Sequence, residues 1–441
     1  MKTPNKPSGY KLESRDKKRH GQTVAYVTRD RERGEGMEET DNYFIIAGDG
    51  TRNTFDILSD SQTRKKIDKT NAKILVFKNT IQIERLAKEK GWELLNPSAE
   101  LAEKIENKIT QIKILGELAH LLPSHHVCLV KNIALERKSE MQIKNGLSKK
   151  QSDKKGLTEN KPLIVQWAHS HTGDGTLLIY TEKELEDIKK KFPNREARVT
   201  KYIKGPMFTA NILVTNDTET DKEILIGNIS YQITGLTPFT DNIFSTIGND
   251  WSIPQNILTE KLVKEFNKIA YLVGLKLKSY GWKGLFGIDV ILNEEKDGLF
   301  LIEINARQPA SATYESQLQQ EMRKKGVPGI TIFEAHIATL SGNQVNSPLI
   351  KIDDGAQIVQ RITNKMTKKT RGNKTMKSQI DKLEIDVKNL EQASYKVIKY
   401  KNIKPNSDLL RIQSKRGIMR AHNKFNKRGK EISKLLENTI V

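Results

Sequence analysis

Two acidic residues near residue 300 occupy matching positions in two neighbouring apolar segments. Both segments are rich in Ile, Leu and Val, and a polar turn at 293–298 joins them. This pattern predicts a β-hairpin. If Asn293 pairs with Leu299, then Asp289 falls directly opposite Glu303. The spacing therefore predicts two carboxylates that face each other on adjacent strands.

Opposed carboxylates on a sheet repel each other, at a cost of up to ~1 kcal/mol when exposed and more when buried. A divalent cation removes this repulsion. Because side chains alternate along a strand, Asn305 and Arg307 share the face of Glu303. The oxygens of Asp289, Glu303 and Asn305 are the hard ligands that Mg²⁺ prefers, and Arg307 is suited to bind a phosphate or carboxylate with two hydrogen bonds. The alternative is an exposed hairpin face on which Arg307 neutralises the acids.

A second candidate site is the loop His169–Thr176, which joins two apolar runs. Gly173 and Gly175 allow backbone N–H groups to approach a phosphate closely. Thr172 and Thr176 add hydroxyl donors. The alternative is an ordinary turn between two strands.

The elements that position these residues change along the chain. Residues 1–40 are polar and predict an irregular arm. Apolar runs at 43–48 and 73–77, separated and followed by helical patterns, predict a small parallel α/β domain. Asn96 as N-cap and Pro97 at the first position predict a helix whose apolar face continues through Leu118.

From Pro162 the pattern changes to paired strands with isolated helices, which is typical of an α+β domain. Thr181 and Glu184 form a capping-box pattern that predicts a helix up to about Lys191. The final region is basic: Arg361–Ile380 and Arg411–Lys430 contain seven and eight Lys or Arg residues and no acid. We expect these segments to be solvated basic faces.

Composition excludes several classes of protein. At 441 residues the chain is long enough for two to four modules, and 36% hydrophobic residues exclude a wholly disordered chain. The single cysteine, Cys128, excludes an internal disulfide and a cysteine-rich zinc site. No apolar stretch is long enough to span a membrane, and the N-terminus has no apolar signal region. These features predict a cytoplasmic protein without membrane partners.

The net charge of +21 attracts polyanions, either nucleic acid or nucleotide phosphates. An equally good explanation is a compositional bias, since lysine far outnumbers arginine and asparagine and isoleucine are also abundant. Charge alone therefore leaves the anionic partner open.

Taken together, the motifs resemble the ATP-grasp superfamily of carboxylate ligases. The resemblance covers roughly residues 40–345. It includes the segment Glu103–Lys108, the strand–loop–strand at 163–180, the segment Val199–Gly205 and the acidic hairpin.

The resemblance implies a fold of class α/β and α+β. A polar arm (1–40) is followed by a small parallel α/β preATP-grasp domain (41–125). Two ATP-grasp lobes (126–345) then sandwich ATP, and a basic C-terminal region (346–441) follows as an extension.

The resemblance also implies roles for particular residues. Asp289, Glu303 and Asn305 match the positions that bind Mg²⁺, with Mn²⁺ as the alternative ion, and Arg307 is implied to be catalytic. The implied ATP-binding residues are Lys108, Gln166, Thr172, Gly173, Gly175, Thr176, Lys201, Tyr202 and Ile203.

Two positions depart from the pattern of the superfamily. Gln166 stands where many members have a phosphate-binding lysine. Met207 and Phe208 stand where an acid often holds the ribose. Both departures affect nucleotide contacts and leave the acidic hairpin unchanged.

The activity implied by the resemblance is ATP-dependent ligation. The γ-phosphoryl group would pass to a carboxylate to form an acylphosphate, with release of ADP, and an amine (less often a thiol) would then displace phosphate. The implied partners are a small-molecule carboxylate and an amine, and a homodimer is open. The alternatives are a carboxyphosphate enzyme of the biotin-carboxylase or carbamoyl-phosphate type, and a non-catalytic protein that binds nucleic acid with its basic tail.

Overall fold

The computed structural model describes residues 22–136, 161–168, 175–219, 222–293, 298–364, 387–401 and 404–440, together with residues 295, 366 and 384. Within these residues the chain forms three larger β-sheets and one two-stranded sheet. No helix in the described ranges combines the length and the apolar character needed to cross a membrane.

The strands are β1 (Val24–Thr28), β2 (Tyr43–Ala47), β3 (Lys73–Val76), β4 (His125–Leu129), β5 (Leu163–Trp167), β6 (Thr176–Ile179), β7 (Glu196–Lys201), β8 (Met207–Val214), β9 (Ile224–Ile226), β10 (Ser230–Thr234), β11 (Thr246–Asp250), β12 (Gly284–Asn293), β13 (Gly298–Asn305), β14 (Ala356–Arg361), β15 (Lys396–Lys399), β16 (Asp408–Ser414), β17 (Met419–Ala421) and β18 (Lys424–Phe425). The α-helices that we label are α1 (Thr54–Ser59), α2 (Ser61–Thr70), α3 (Ile81–Lys90), α4 (Ala99–Glu106), α5 (Thr110–Leu115), α6 (Glu182–Lys191), α7 (Pro254–Ile257), α8 (Glu260–Ser279), α9 (Ala312–Lys324), α10 (Ile332–Leu340) and α11 (Lys427–Ile440). Short 3₁₀ helices lie at Arg31–Gly34, Gly116–Leu121 and Val130–Asn132.

The first sheet is parallel, in the order β2-β1-β3, and confirms the predicted small α/β domain. The predicted arm over residues 1–40 is wrong for residues 22–40, because β1 is the central strand of this sheet and all five of its residues are buried. Five apolar and β-prone residues are a weak signal among so many charged neighbours. The domain therefore begins before the predicted boundary at 41. Residues 1–21 lie outside the described residues.

The predicted continuous helix from Asn96 to Leu118 is divided into α4, α5 and a 3₁₀ turn. The N-cap of α4 is Ser98, whose Oγ accepts from Leu101 N at 3.2 Å. The side-chain oxygen of Asn107 accepts from the backbone N–H groups that open α5, at 2.9 and 3.2 Å. Because this local hydrogen bonding competes with the helical pattern, the chain turns at Asn107.

The second sheet is antiparallel, in the order β4-β7-β5-β6. It forms one lobe with α6, which begins at the predicted capping box of Thr181 and Glu184. The apolar residues of β5 and β7 pack against α6 in one core.

The third sheet has nine strands in the order β13-β12-β8-β10-β11-β14-β16-β15, with β9 paired to β8. The predicted basic C-terminal extension is wrong in its architecture. β14, β15 and β16 all belong to this region, and β14 pairs with β11 and with β16 inside the sheet. Lysine-rich segments flank these strands in the sequence, so their short apolar patterns did not predict a sheet.

The predicted solvated basic faces are likewise wrong at Arg361 and Arg411, which are both buried. Arg361 Nη1 donates to Asp408 Oδ1 at 3.0 Å, and its Nη2 donates to Thr246 O in β11 at 2.8 Å. Arg411 Nε donates to the Tyr400 hydroxyl at 2.9 Å, and that hydroxyl donates to Glu32 Oε1 at 2.6 Å. These arginines therefore tie the C-terminal region to the rest of the fold. Residues 367–380 lie outside the described residues.

The hairpin of β12 and β13 has the predicted pairing of Asp289 with Glu303, but a different register at its turn. Asn293 pairs with Gly298 where Leu299 is predicted. A β-bulge between Asp289 and Val290 restores the expected alignment, because one extra residue of β13 is inserted there.

Candidate active site

The acidic pair of the hairpin lies in a polar cluster on the third sheet. Asn305 Nδ2 donates to Asp289 Oδ2 at 3.2 Å. From β10, Gln232 Nε2 donates to Asp289 Oδ1 at 3.2 Å. Asp289 and Glu303 pair across the strands, so the expected cluster of two carboxylates and an amide is present.

The surroundings shift the pKa values of these two carboxyl groups in opposite directions. Burial raises the pKa of Asp289 to about 6, and the neighbouring Glu303 carboxylate adds to the rise. Burial also pushes the pKa of Glu303 upward, but the Lys108 ammonium outweighs it and holds that pKa below its ordinary value. The hairpin therefore holds one carboxylate that is compensated by a cation and one that is not.

The donor chemistry of this cluster fits a magnesium ion. Two carboxylates and an amide oxygen are hard ligands, and Mg²⁺ commonly uses one or two protein carboxylates together with phosphate oxygens and water. In the described parts of the chain, no group of three or more His, Cys, Asp or Glu side chains is arranged to hold a metal ion. Metal binding by Asp289, Glu303 and Asn305 stays a prediction.

Lys108 lies in the break between α4 and α5 and points at the hairpin. It is 2% exposed, and its Nζ donates to Glu303 Oε1 at 2.7 Å. Its backbone N donates to Ala168 O at 3.0 Å, which joins it to the end of β5. The structure thus brings Lys108 to the acidic pair, and its contact with ATP phosphates stays a prediction.

Gln166 on β5 is buried and is held by an arginine that sequence reasoning missed. Arg198, its direct cross-strand partner on β7, donates to Gln166 Oε1 from Nε at 3.1 Å and from Nη2 at 2.7 Å. Gln166 Nε2 donates to Thr176 Oγ1 at 3.3 Å. The sequence predicts paired strands from Pro162 onward but not their register, and it is the antiparallel pairing of β5 with β7 that places Arg198 next to Gln166.

The glycine loop is described only at its C-terminal end. Gly175 O accepts from Trp167 N at 3.1 Å, and Thr176 begins β6. Thr172 and Gly173 lie outside the described residues, so the predicted phosphate contacts of the loop stay a prediction.

Three of the implied ATP-binding residues, Lys201, Tyr202 and Ile203, lie at the connection between β7 of the second sheet and β8 of the third. Lys201 ends β7 with an exposed side chain, and Tyr202 N donates to Pro162 O at 3.1 Å. Ile203 follows in the connection to β8. At the start of β8, Phe208 is fully buried in the main core and Met207 is partly buried. Neither side chain offers an acid to a ribose, as the sequence indicated.

Arg307 lies two residues beyond β13, and its guanidinium forms an ion pair with Glu106 at the end of α4. Glu106 also pairs with Lys78 at 2.6 Å. Burial pushes the pKa of Glu106 upward, but these two cations outweigh it and hold that pKa below its ordinary value. Arg307 thus neutralises Glu106, which the sequence analysis did not single out, and its predicted catalytic role is untested.

Comparisons with known proteins agree with this architecture. Residues 131–311 match the ATP-grasp domain family. No curated protein sequence matches the chain.

Several solved structures have the same fold. Carboxyaminoimidazole ribonucleotide synthase from Aspergillus clavatus, in complex with ATP, is 14% identical with a TM-score of 0.58, over 95% of this chain and 98% of that one. N5-carboxyaminoimidazole synthetase from Staphylococcus aureus is 12% identical with a TM-score of 0.56, over 95% and 97%. L-amino acid ligase from Bacillus licheniformis is 12% identical with a TM-score of 0.52, over 94% and 97%. Residues 131–311 therefore match the ATP-grasp domain family, and the chain has the fold of these solved enzymes, as the resemblance implied.

Proposed function

We propose that this protein is an ATP-dependent ligase that activates a carboxylate as an acylphosphate for attack by an amine. The observation that carries the proposal is the buried pairing of Asp289 with Glu303, beside the Lys108 ammonium. Such a cluster suits a highly charged phosphate ligand and its counterion, and the pattern is the one expected of an ATP-grasp site.

The reaction divides one difficult step into two easier ones. A carboxylate oxygen of the substrate attacks the γ-phosphorus of ATP, and ADP leaves. The amine nitrogen then attacks the acyl carbon, phosphate leaves with the bonding electron pair, and the nitrogen loses a proton. Because the reactants carry the chemistry, the protein acts by positioning and by neutralising charge.

The residues of the hairpin would hold the metal ion. Asp289, Glu303 and Asn305 supply the ligands, and a bound Mg²⁺ would neutralise charge on the phosphate oxygens. Lys108 fixes Glu303 through its 2.7 Å bond. Gln232 and Asn305 fix Asp289. These contacts preorganise the carboxylates before the nucleotide arrives.

The remaining predicted contacts belong to the same proposal. The backbone of Lys201, Tyr202 and Ile203 would meet the adenine, and Gly175 and Thr176 would lie at the end of a phosphate-covering loop. Arg307 would stabilise the acylphosphate, with Glu106 holding its guanidinium in place.

The similar solved enzymes support nucleotide use. The synthase from A. clavatus was solved with ATP and also with ADP and 5-aminoimidazole ribonucleotide, which carries an amine. The substrate amine and carboxylate of the present protein are expected to be small molecules. A cytoplasmic location and the choice between monomer and homodimer stay predictions from the sequence.

A second candidate within the same chemistry is that bicarbonate is the carboxylate substrate. The names of several similar enzymes favour it, because their product carries a carboxy group on an aminoimidazole nitrogen. The intermediate would then be carboxyphosphate. The nucleic-acid alternative is less favoured, since Arg361 and Arg411 of the basic region are buried in the fold.

The test is a phosphate-release assay with Mg·ATP across bicarbonate, amino acids and small carboxylic acids, each with a panel of amines. Formation of ADP and phosphate that depends on one acid supports the proposal and names the donor. Formation of AMP and pyrophosphate would overturn the acylphosphate reaction. Normal turnover in both Asp289→Asn and Glu303→Gln would refute the role of the hairpin.

A further inference from the structure

Arg198 is a buried cation that the proposed mechanism does not use. It is 2% exposed, and no carboxylate of the described residues lies within ion-pair distance of its guanidinium. Its partners are neutral: Gln166 Oε1, Gln111 Oε1 at 3.3 Å and Ile302 O at 3.0 Å. A buried charge without a counterion is costly. Glu303 compensates this charge only from beyond ion-pair distance, so a bound anion would compensate it further.

The electrostatics agree with that view. Burial lowers the pKa of Arg198 to about 10, and Glu303 opposes the change only in part. Even so, the guanidinium remains charged at neutral pH.

The arginine also settles the orientation of the Gln166 amide. A guanidinium has only donors, so the two bonds from Arg198 require the amide oxygen to face it. The Gln166 NH₂ group consequently points the other way, towards Thr176 at the end of the glycine loop. Among the described residues Thr176 Oγ1 is its acceptor, at 3.3 Å, and an NH₂ group has two hydrogens to donate.

Arg198 and Gln166 lie next to the acidic hairpin. Arg198 Nη2 donates to the carbonyl of Ile302, the residue directly before Glu303. Lys108, which holds Glu303, is bonded through its backbone to Ala168, two residues beyond Gln166. The pair thus stands between the end of the glycine loop and the acidic hairpin.

We propose that Arg198 and Gln166 together replace a phosphate-binding lysine: Arg198 supplies the charge and orients Gln166, whose NH₂ group donates to the triphosphate. Arg198 is here a positioning residue. This inference rests on the proposed function, in that it needs ATP to bind beside the hairpin. The positive charge would thus lie on β7, at Arg198, and not on β5. Gln166, oriented by Arg198, would make the hydrogen bond to the triphosphate.

The test compares the full-length chain with Arg198→Gln and with the double variant Gln166→Lys/Arg198→Gln, which returns the cation to β5. Arg195→Gln is the matched control, because Arg195 is exposed just before β7 and stacks on Trp167. Isothermal titration calorimetry measures the Kd of Mg·ATP and of AMP, and thermal unfolding checks that each variant is folded.

We expect Arg198→Gln to weaken Mg·ATP binding by about 10- to 100-fold, the range for a hydrogen bond to a charged group, while AMP binding changes by less than about threefold. The double variant should recover most of the loss, and Arg195→Gln should bind as the wild type does. If Arg198→Gln does not fold, the double variant with wild-type affinity still supports the proposal. Unchanged ATP binding in Arg198→Gln, equal losses for ATP and AMP, or a double variant that recovers nothing would each overturn it. A wild-type chain that binds no Mg·ATP would instead refute the proposed function.

Discussion

Replacing Asp289 with asparagine is expected to stabilise the metal-free protein and at the same time to remove nucleotide turnover. Asp289 is buried opposite Glu303, and these surroundings raise its pKa from 3.8 to about 6. A carboxyl group whose pKa is higher in the folded state than in the unfolded state destabilises the fold once it ionises. Stability therefore falls as the pH rises from about 4 to about 6, and the full penalty remains above pH 6.

The size of the effect follows from these two pKa values. A rise from 3.8 to about 6 corresponds to about 3 kcal/mol at neutral pH. Asparagine lacks the charge, but its single side-chain oxygen serves Gln232 and Asn305 less well than two carboxylate oxygens do. The lost hydrogen bond costs about 1 kcal/mol. We expect a net stabilisation of about 1–2 kcal/mol at pH 8, and none at pH 4.5.

Urea unfolding in EDTA at pH 4.5 and pH 8 measures this difference, and a repeat with Mg²⁺ should stabilise the wild type but not Asp289→Asn. Glu334→Gln is the contrasting control. Burial pushes the pKa of Glu334 upward, but its hydrogen bonds from Arg323 Nη1 at 2.9 Å and Thr331 N at 3.0 Å outweigh it and hold that pKa below its ordinary value. That substitution should destabilise the protein at pH 8. The reasoning fails if Asp289→Asn destabilises the metal-free protein at pH 8, or if its effect is the same at both pH values.

Three further predictions concern the surroundings of the site. Glu303→Gln should lower the free energy of unfolding by about 3–5 kcal/mol, because it leaves the Lys108 ammonium buried without its partner; a Glu303→Gln/Lys108→Met double variant that is no more stable than Glu303→Gln would contradict this. Glu106→Gln should lower kcat at least tenfold with little change in Mg·ATP affinity, since it removes the ion pair that holds the Arg307 guanidinium in place. An unchanged kcat in a steady-state assay would show that Arg307 does not depend on Glu106 for its position. Removal of residues 346–441 should abolish cooperative thermal unfolding, because β14 and β16 lie within the central sheet, whereas a dispensable tail would leave Tm unchanged.

The acidic hairpin was predictable because its signal is local. Alternation along two apolar strands places Asp289 opposite Glu303, and the structure has that pairing. The register at the turn was not predictable. The turn is one residue shorter than predicted, which shifts the strand register by one residue, and the bulge between Asp289 and Val290 shifts it back. No residue pattern in the sequence indicates either feature.

The parts that sequence reasoning missed depend on contacts between distant segments. β1 is short and lies among charged residues, so only its two parallel neighbours reveal it as a central strand. Arg411 was predicted to be solvated because its partners are not apparent from the sequence: it donates to Tyr400, which donates to the distant Glu32. The contact of Arg198 with Gln166 depends on the pairing of β5 with β7. The sequence indicated strands in this region but not which of them pair or in what register.

The position of β14 has a consequence for synthesis on the ribosome. β11 ends at Asp250, but the strand that covers its edge begins at Ala356, about 100 residues later. At about 5–20 residues per second, the nascent chain displays this bare edge for roughly 5 to 20 s, and an uncovered edge invites pairing with other chains. Newly made copies should therefore depend on chaperones during this interval more than the finished protein does.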